Sequence, residues 1–515
     1  MTHSSRMLRM RLVASSSRSL ALLGASMALA ACGSRTQVIT ATPAPAPAVP
    51  PVEVAAAPPR DTAEKPPVLA APKALTLPPI VTRELPNGLR LMVVEHHELP
   101  LADFILLVRT GFEADPARQL GLAGLTSALL DEGAGRRTAL QIADQAAYLG
   151  VRLGTGGGWD FSTVSLHTPT AQLDSALALF ADVALRPTFP QAELDRLRQE
   201  RITRIIQNRD QPTVIADQAY AESVFGQQHP YGRPTIGTEA SLRSITRADV
   251  LRFYQSYYRP NNATLIVVGD VSPAEIERKV TALFGGWQRR AVPAVTYAQL
   301  PAAQPTKVFL IDKPGAAQSS FRIGTVGVAR TTEDYFPIQV MNTILGGSFT
   351  SRLNNTLREV KGYTYGAGSG FSMRSQPGPF TARAEIVAAK SDSALLDFMK
   401  ELRGIRDTVP AAELEKAKRY LMLQLPNQFE TTTDIAQQLV PLAVYGLPLD
   451  YYNAYTQRIQ AVTQADVQRV AQRYVDPAKL NIVVVGDAKS IEAGIRATKV
   501  GDVEVKGAAG AAVAP

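Results

Sequence analysis

Residues 246–270 read TRADVLRFYQSYYRPNNATLIVVGD, and residues 463–487 read TQADVQRVAQRYVDPAKLNIVVVGD. The two stretches align without a gap: Thr246 and Thr463, Tyr257 and Tyr474, Pro260 and Pro477, and Asp270 and Asp487 are each 217 residues apart. A second match, FPQAEL from Phe189 against VPAAEL from Val409, has an offset of 220, so a few residues separate the copies between the two matches. Two homologous units of about 210 residues follow, not a solenoid of short repeats.

Both copies carry the same local signals in the same order. Thr246 and Thr463 are helix N-caps with an aspartate at the third helical position, which places an acid near the positive end of the helix. Pro260 and Pro477 stop those helices, and LIVVGD or IVVVGD is a short buried strand closed by a Gly-Asp turn. Earlier, LRLMVVE from Leu89 and ADFILLV from Ala102 are two further strands, with helical patterns after them. Strands and helices without strict alternation predict an α+β fold of two tandem homologous domains, each a mostly antiparallel sheet with helices on one face.

Outside the repeat, the chain begins with an address and a tether. Residues 1–18 carry Arg6, Arg9, Arg11 and Arg18 and no acid, and a short apolar run from Leu20 to Leu29 precedes Leu29-Ala30-Ala31-Cys32-Gly33. The run is too short to span a bilayer. It resembles a bacterial lipoprotein signal, which implies a diacylated Cys32 as the mature N-terminus, a lipid-anchored and periplasm-facing protein of the bacterial cell envelope, and sorting to the outer membrane. Pro and Ala dominate residues 33–80 and leave little to bury, so that segment is a spacer. The boundaries expected are a signal over 1–32, a linker over 33–80, a first domain over 81–292, a second over 300–490 and a C-terminal tail over 491–515. Cys32 is the only cysteine, which excludes an intrachain disulfide and any cysteine-built zinc site. Of the formal charge of +8, half lies in the signal, so a nucleic-acid partner gains little support.

The order of motifs resembles the pitrilysin/insulinase family of zinc metallopeptidases, the group that includes mitochondrial processing peptidase subunits. The residues carrying the likeness are LPNGLRL from Leu85, GLAGLTSALL from Gly121, HPYG from His229, the two Gly-Asp strands, LGGSFTSRL from Leu345 and LREVKGYTY from Leu357. The resemblance implies paired domains that form half a clamshell, and an inverted H-x-x-E-H motif whose two histidines hold zinc while the glutamate activates water. At those positions this chain has Gly124, Ser127 and Ala128, and Arg204 stands where the family places its remaining glutamate ligand. No metal ligand or base is expected from them.

Other histidines do not replace the set. In Glu95-His96-His97-Glu98, neighbours in an extended segment point to opposite faces, so the imidazoles diverge. His167 reads as a lone strand residue and His229 as part of a structural turn. Gly346-Gly347 reads as a helix terminator. GTGGGWD from Gly154 lacks the lysine and spacing of a phosphate loop; by resemblance it lies on the sheet edge where peptides extend, and glycine there permits close backbone approach.

The resemblance also implies that Arg358 and Tyr365, seven residues apart in the second unit, hold and polarise a peptide opposite the zinc. A guanidinium fork and a phenolic O–H suit a carbonyl oxygen that gains negative charge. The expected function is therefore a noncatalytic subunit of an envelope zinc metallopeptidase, with no zinc of its own, that pairs with a zinc-bearing homologue and binds peptide substrate. The alternatives are an envelope peptide-binding or assembly protein with no part in hydrolysis, and a metalloendopeptidase in its own right.

Overall fold

The duplicated cap builds the same helix twice. The carboxylate of Asp249 accepts from the Thr246 N–H at 2.8 Å, and that of Asp466 accepts from the Thr463 N–H at 3.0 Å, each threonine hydroxyl capping in return. Helices Arg247–Tyr257 and Gln464–Tyr474 follow and lead into buried strands ending at Gly269 and Gly486. The computed structural model describes residues 77–507; residues 1–32, read above as a signal ending at Cys32, and nearly all of the segment read as a spacer lie outside the described residues.

In chain order the strands are β1 (Val81–Glu84), β2 (Arg90–Glu95), β3 (Leu101–Val108), the short pair β4 (Gly133–Ala134) and β5 (Arg137–Thr138), β6 (Arg152–Gly157), β7 (Ser162–Pro169) and β8 (Ala263–Gly269) in the first half. The second half holds β9 (Lys307–Asp312), β10 (Gln318–Val326), β11 (Ala367–Phe371), β12 (Pro379–Val387), β13 (Asn481–Gly486) and β14 (Asp502–Gly507). The first sheet has the order β1-β2-β8-β3-β7-β6, and the second, read in the equivalent direction, β14-β9-β13-β10-β12-β11. Both are mostly antiparallel: β2 lies parallel to β8, and β9 lies parallel to β13 and β14. The sheet-edge strands β6 and β11 occupy equivalent places.

Residues 491–515 are not a tail throughout. Helix Ala488–Ala497 packs beside the second sheet and β14 pairs with β9, so the second domain runs past residue 490. The alternation of Val503 and Val505 with charged residues, and the ion pair of Lys307 with Glu504 at 2.5 Å, fix that strand on its edge. At the other end, Leu77 and Ile80 already pack against the core.

Helices of the same half cover one face of each sheet; the other face is covered by a helix from the opposite half. Along β3, Phe104 and Leu106 face the first domain's own helices, whereas Ile105 and Leu107 face the core containing Ile435, Ala436 and Leu439 of helix Thr432–Tyr445. Reciprocally, Tyr220, Val224 and Phe225 of helix Pro212–Phe225 pack on Val483 and Val485 of β13. These two helices are themselves a repeat pair 220 residues apart. Contact is close enough to dictate composition: a Cβ at Gly324 would stand 1.9 Å from the carbonyl oxygen of Phe380 and 2.4 Å from the Tyr220 hydroxyl.

Buried polar groups tie the halves together. Asp103 on β3 accepts from the hydroxyls of Thr432 at 2.6 Å and Thr433 at 2.9 Å, at the positive end of the visiting helix, and lies 3.1 Å from His167 Nδ1. Asp160 accepts from Tyr445 Oη at 2.9 Å, the Ser375 N–H at 3.0 Å and Tyr231 Oη at 3.3 Å. Beside it the Arg374 guanidinium lies over Trp159 and Tyr231, at 4.1 and 4.4 Å from the ring centroids.

Candidate functional site

Gly121 begins the short helix Leu122–Ala128 in a left-handed conformation, φ 91°, which suits glycine. Its N–H and that of Ala123 donate to the two oxygens of Asp115 at 2.6 and 2.7 Å, pinning the helix start. Burial pushes the Asp115 carboxyl up to about 7, against the lowering effect of those two N–H groups. One face of the helix presents Gly124, Ser127 and Ala128, at i, i+3 and i+4.

That face lines a cavity of about 370 Å³. The opposite wall is helix Gln191–Asn208, through Glu200, Arg201 and Arg204, and the third is the edge strand β6, through Thr155, Gly156 and Gly157. Phe112 closes one end. All four positions singled out in the sequence, Gly124, Ser127, Ala128 and Arg204, therefore meet at one place. Arg204 is an exposed residue 3.5 Å from the Glu200 carboxylate.

The residue that sequence reasoning missed is Arg201. Its part-buried guanidinium donates to Gly121 O at 3.2 Å, and a Cβ added at Gly124 would meet its Nη1 at 3.0 Å and Nη2 at 3.3 Å. Burial pulls Arg201 down to about 10, partly offset by Asp115, so the group is a cation at neutral pH. The available signal was its position one helical turn before Arg204. A second omission is Glu113, whose two oxygens accept from the Gly111 N–H at 3.1 and 3.0 Å; burial pushes it up to about 8.

His97 and His229 have other partners, and His96 Nδ1 is buried without a hydrogen-bond partner among the described residues. His97 bridges Asp270 at 2.7 Å and Glu95 at 3.3 Å, and His229 Nδ1 accepts from the Tyr231 N–H at 3.1 Å inside an aromatic cluster. Among the described residues, no three His, Cys, Asp or Glu side chains are grouped as a metal site requires.

Arg358 and Tyr365 do not line the cavity of the first half. Arg358 lies in a π-helical turn, Asn355–Val360, with its guanidinium over the Phe349 ring at 4.6 Å and 3.1 Å from Glu359. Tyr365 precedes β11 and is 92% exposed, and Phe349 and Val360 are 65% and 68% exposed. Gly346 follows helix Tyr335–Leu345 and brings its carbonyl to the Ser369 N–H of β11 at 3.0 Å, a contact that a Cβ would obstruct. Among the described residues, no helix is long and apolar enough to cross a membrane.

Two family profiles match consecutive parts of the chain: residues 91–239 match insulinase (peptidase family M16), and residues 244–421 match the peptidase M16 inactive domain. An uncharacterized zinc protease of Rickettsia bellii is 23% identical over 407 residues, covering 78% of this chain and 96% of that protein. Among solved structures, a peptidase M16 inactive domain from Pseudomonas fluorescens superposes with a TM-score of 0.74 at 29% identity, covering 79% of this chain and 98% of that one. The periplasmic protease PqqL of Escherichia coli aligns at 19% identity with a TM-score of 0.67, over 83% of this chain but 51% of its own, a likeness of fold. The residues lining the cavity do not fit the zinc that such relatives' names imply: they provide one carboxylate, two guanidiniums and hydroxyls, and no imidazole.

Proposed function

The chain belongs to the insulinase, or M16, family of peptidases, and on that premise we propose that it is a noncatalytic subunit which binds no zinc and pairs with a zinc-bearing homologue to form a peptide-degrading chamber. The observation that carries this reading is the cavity itself. Gly124, Ser127, Ala128 and Arg204 converge as a zinc site of this family would, yet supply neither ligand nor base, and Arg201 crowds the space a side chain at 124 would need. Fold and family alone do not confer activity.

Two further observations support a subunit over an isolated protein. The aligned part of PqqL is half of a chain, which is what a two-domain chain with a separate partner would supply. Tyr365, Phe349 and Val360 project from the segment that carries Arg358, an exposed apolar group suited to contact with another chain. In this reading Arg358 and Tyr365 reach a peptide held in the partner's site, and β6 offers an open strand edge to peptide. Attachment to the envelope membrane runs through a lipid on Cys32, with the outer membrane as the proposed address and the Pro/Ala spacer as tether.

The test is reconstitution with a homologue carrying intact H-x-x-E-H. The mixture should cleave a peptide that neither chain cleaves alone. Tyr365→Phe should lower turnover on the order of 10²-fold while leaving assembly unchanged, because the phenol donates to an oxygen whose charge develops in the transition state. Arg358→Ala should also weaken peptide binding. A mixture with no more activity than the homologue alone would sink the subunit assignment and leave peptide binding without hydrolysis, and unchanged turnover in both variants of an active mixture would reduce Arg358 and Tyr365 to scaffold.

A further inference from the structure

The cavity that fails as a metal site has the composition of an anion site. Arg201 has five N–H donors, and its one hydrogen bond among the described residues goes to Gly121 O. Asp115, the nearby acid, directs both oxygens to the N–H groups of Gly121 and Ala123 and is not within ion-pair distance of Arg201. Arg204 adds a second cation and Glu200 the one acid among the lining residues, leaving one net positive charge. Ser127, Thr155 and Thr235 bring hydroxyls to the same walls, and Ser127 already donates to Gly124 O at 3.1 Å.

The cavity is lined by Thr155, Gly156 and Gly157 of β6, which pairs with β7 on one side and, among the described residues, has no strand on the other. A chain added to that edge forms main-chain hydrogen bonds whatever its sequence. Phe112 bounds the space beyond: a Cβ at Gly157 would lie 2.9 Å from its ring and 3.2 Å from Ser127 Oγ. A peptide following β6 thus arrives at a walled end furnished with guanidiniums, which bind carboxylates through paired N–H donors.

We propose that this cavity captures the free C-terminal carboxylate of a peptide extended along β6, with Arg201 as the principal donor and Arg204 at the rim. The inference rests on the peptide-binding part of the reading above. It adds a ligand class: chain ends, such as those produced when a longer chain is cut, in preference to internal segments.

The experiment uses fluorescence anisotropy with the purified full chain and an N-terminally fluorescein-labelled decapeptide of alternating threonine and valine. Three forms are compared: the free acid, the C-terminal amide, and the amide with glutamate at the penultimate position. The free acid should bind about 10- to 100-fold more tightly than the amide, as expected for a charge-assisted contact. Arg201→Gln should abolish the preference, and Arg204→Gln, at an exposed position that leaves the fold intact, should reduce it. Equal binding of acid and amide, no binding of either, or a preference unchanged in both variants would overturn the proposal. A glutamate amide that matches the free acid would overturn it too, by showing that an internal carboxylate suffices. The ratio is read on the chain alone, so a chain that reconstitutes peptidase activity but shows no preference loses only the capture site. One that shows the preference but never reconstitutes activity loses only the subunit assignment.

Discussion

Replacing Asp160 by alanine removes the acceptor through which the first half holds three groups: Tyr445 Oη at 2.9 Å, the Ser375 N–H at 3.0 Å and Tyr231 Oη at 3.3 Å. Hydrogen bonds to a charged group contribute about 1.5–3 kcal/mol each, and a buried donor left alone costs about 1–3 kcal/mol. The sum overstates the loss. Ser375 and Gln376 are exposed and can turn to water, and the 3.3 Å contact is weak. Tyr445 and the Arg374 guanidinium cannot resolvate so easily, and losing the buried charge beside that guanidinium leaves it without its compensating partner. The expected destabilisation is on the order of 4 kcal/mol, with Asp160→Asn at roughly half of that because an amide keeps one acceptor. Urea denaturation followed by circular dichroism measures it. The midpoint should fall, and if the halves uncouple, the transition should split into two. Tyr445→Phe should cost about 1 kcal/mol alone and nearly nothing in the Asp160→Ala background. A loss below about 1 kcal/mol for Asp160→Ala, with a single unshifted transition, would refute the claim that this carboxylate clamps the two halves.

Glu113→Gln should remove part of the chain's stability loss as pH rises from mildly acidic to about 8. Its folded pKa of about 8 lies above its ordinary value of 4.5, so the folded state holds the proton more tightly and stability falls as pH rises from about 4.5 to about 8. The variant lacks that decline, at up to about 1.4 kcal/mol per pH unit; parallel stability curves for the two proteins from pH 5 to 8 would contradict the assignment. Cys32→Ser should move the protein from the membrane to the soluble fraction of cells, and retention after a salt wash would mean that another anchor exists. Gly324→Ala should lower the thermal midpoint markedly, because the added methyl meets the Phe380 carbonyl and the Tyr220 hydroxyl; an unchanged midpoint would show that the helix contact yields.

What was legible in the sequence follows from how local each signal is. The Thr-x-x-Asp caps and the Gly-Asp strands need only their own residues, so the repeat and the α+β class could be read directly. The exchange of helices Pro212–Phe225 and Thr432–Tyr445 could not. Nothing in the spacing of Ala216, Tyr220 and Val224 says which of two equivalent sheets will receive them. Strand β14 is hard to read from sequence because DVEVKG is short and half charged, although Val503 and Val505 carry the period of two. At the site, it was the family resemblance, carried by the motifs around Gly121, that pointed to Gly124, Ser127, Ala128 and Arg204. Arg201 and Glu113 acquire their significance from burial, which depends on tertiary packing that no local motif reports.

Whether this chain is a zinc-free subunit is decided by the zinc content of the purified chain after dialysis against zinc-free buffer, by elemental mass spectrometry alongside a chelator-sensitive peptidase assay. The purified chain should hold far less than one zinc and show no chelator-sensitive cleavage alone, because Gly124, Ser127, Ala128 and Arg204 provide no ligand set and Arg201 places a cation against them. One zinc per chain that survives dialysis, removed together with peptidase activity by chelation and lost on substitution of residues in this cavity, would contradict that expectation.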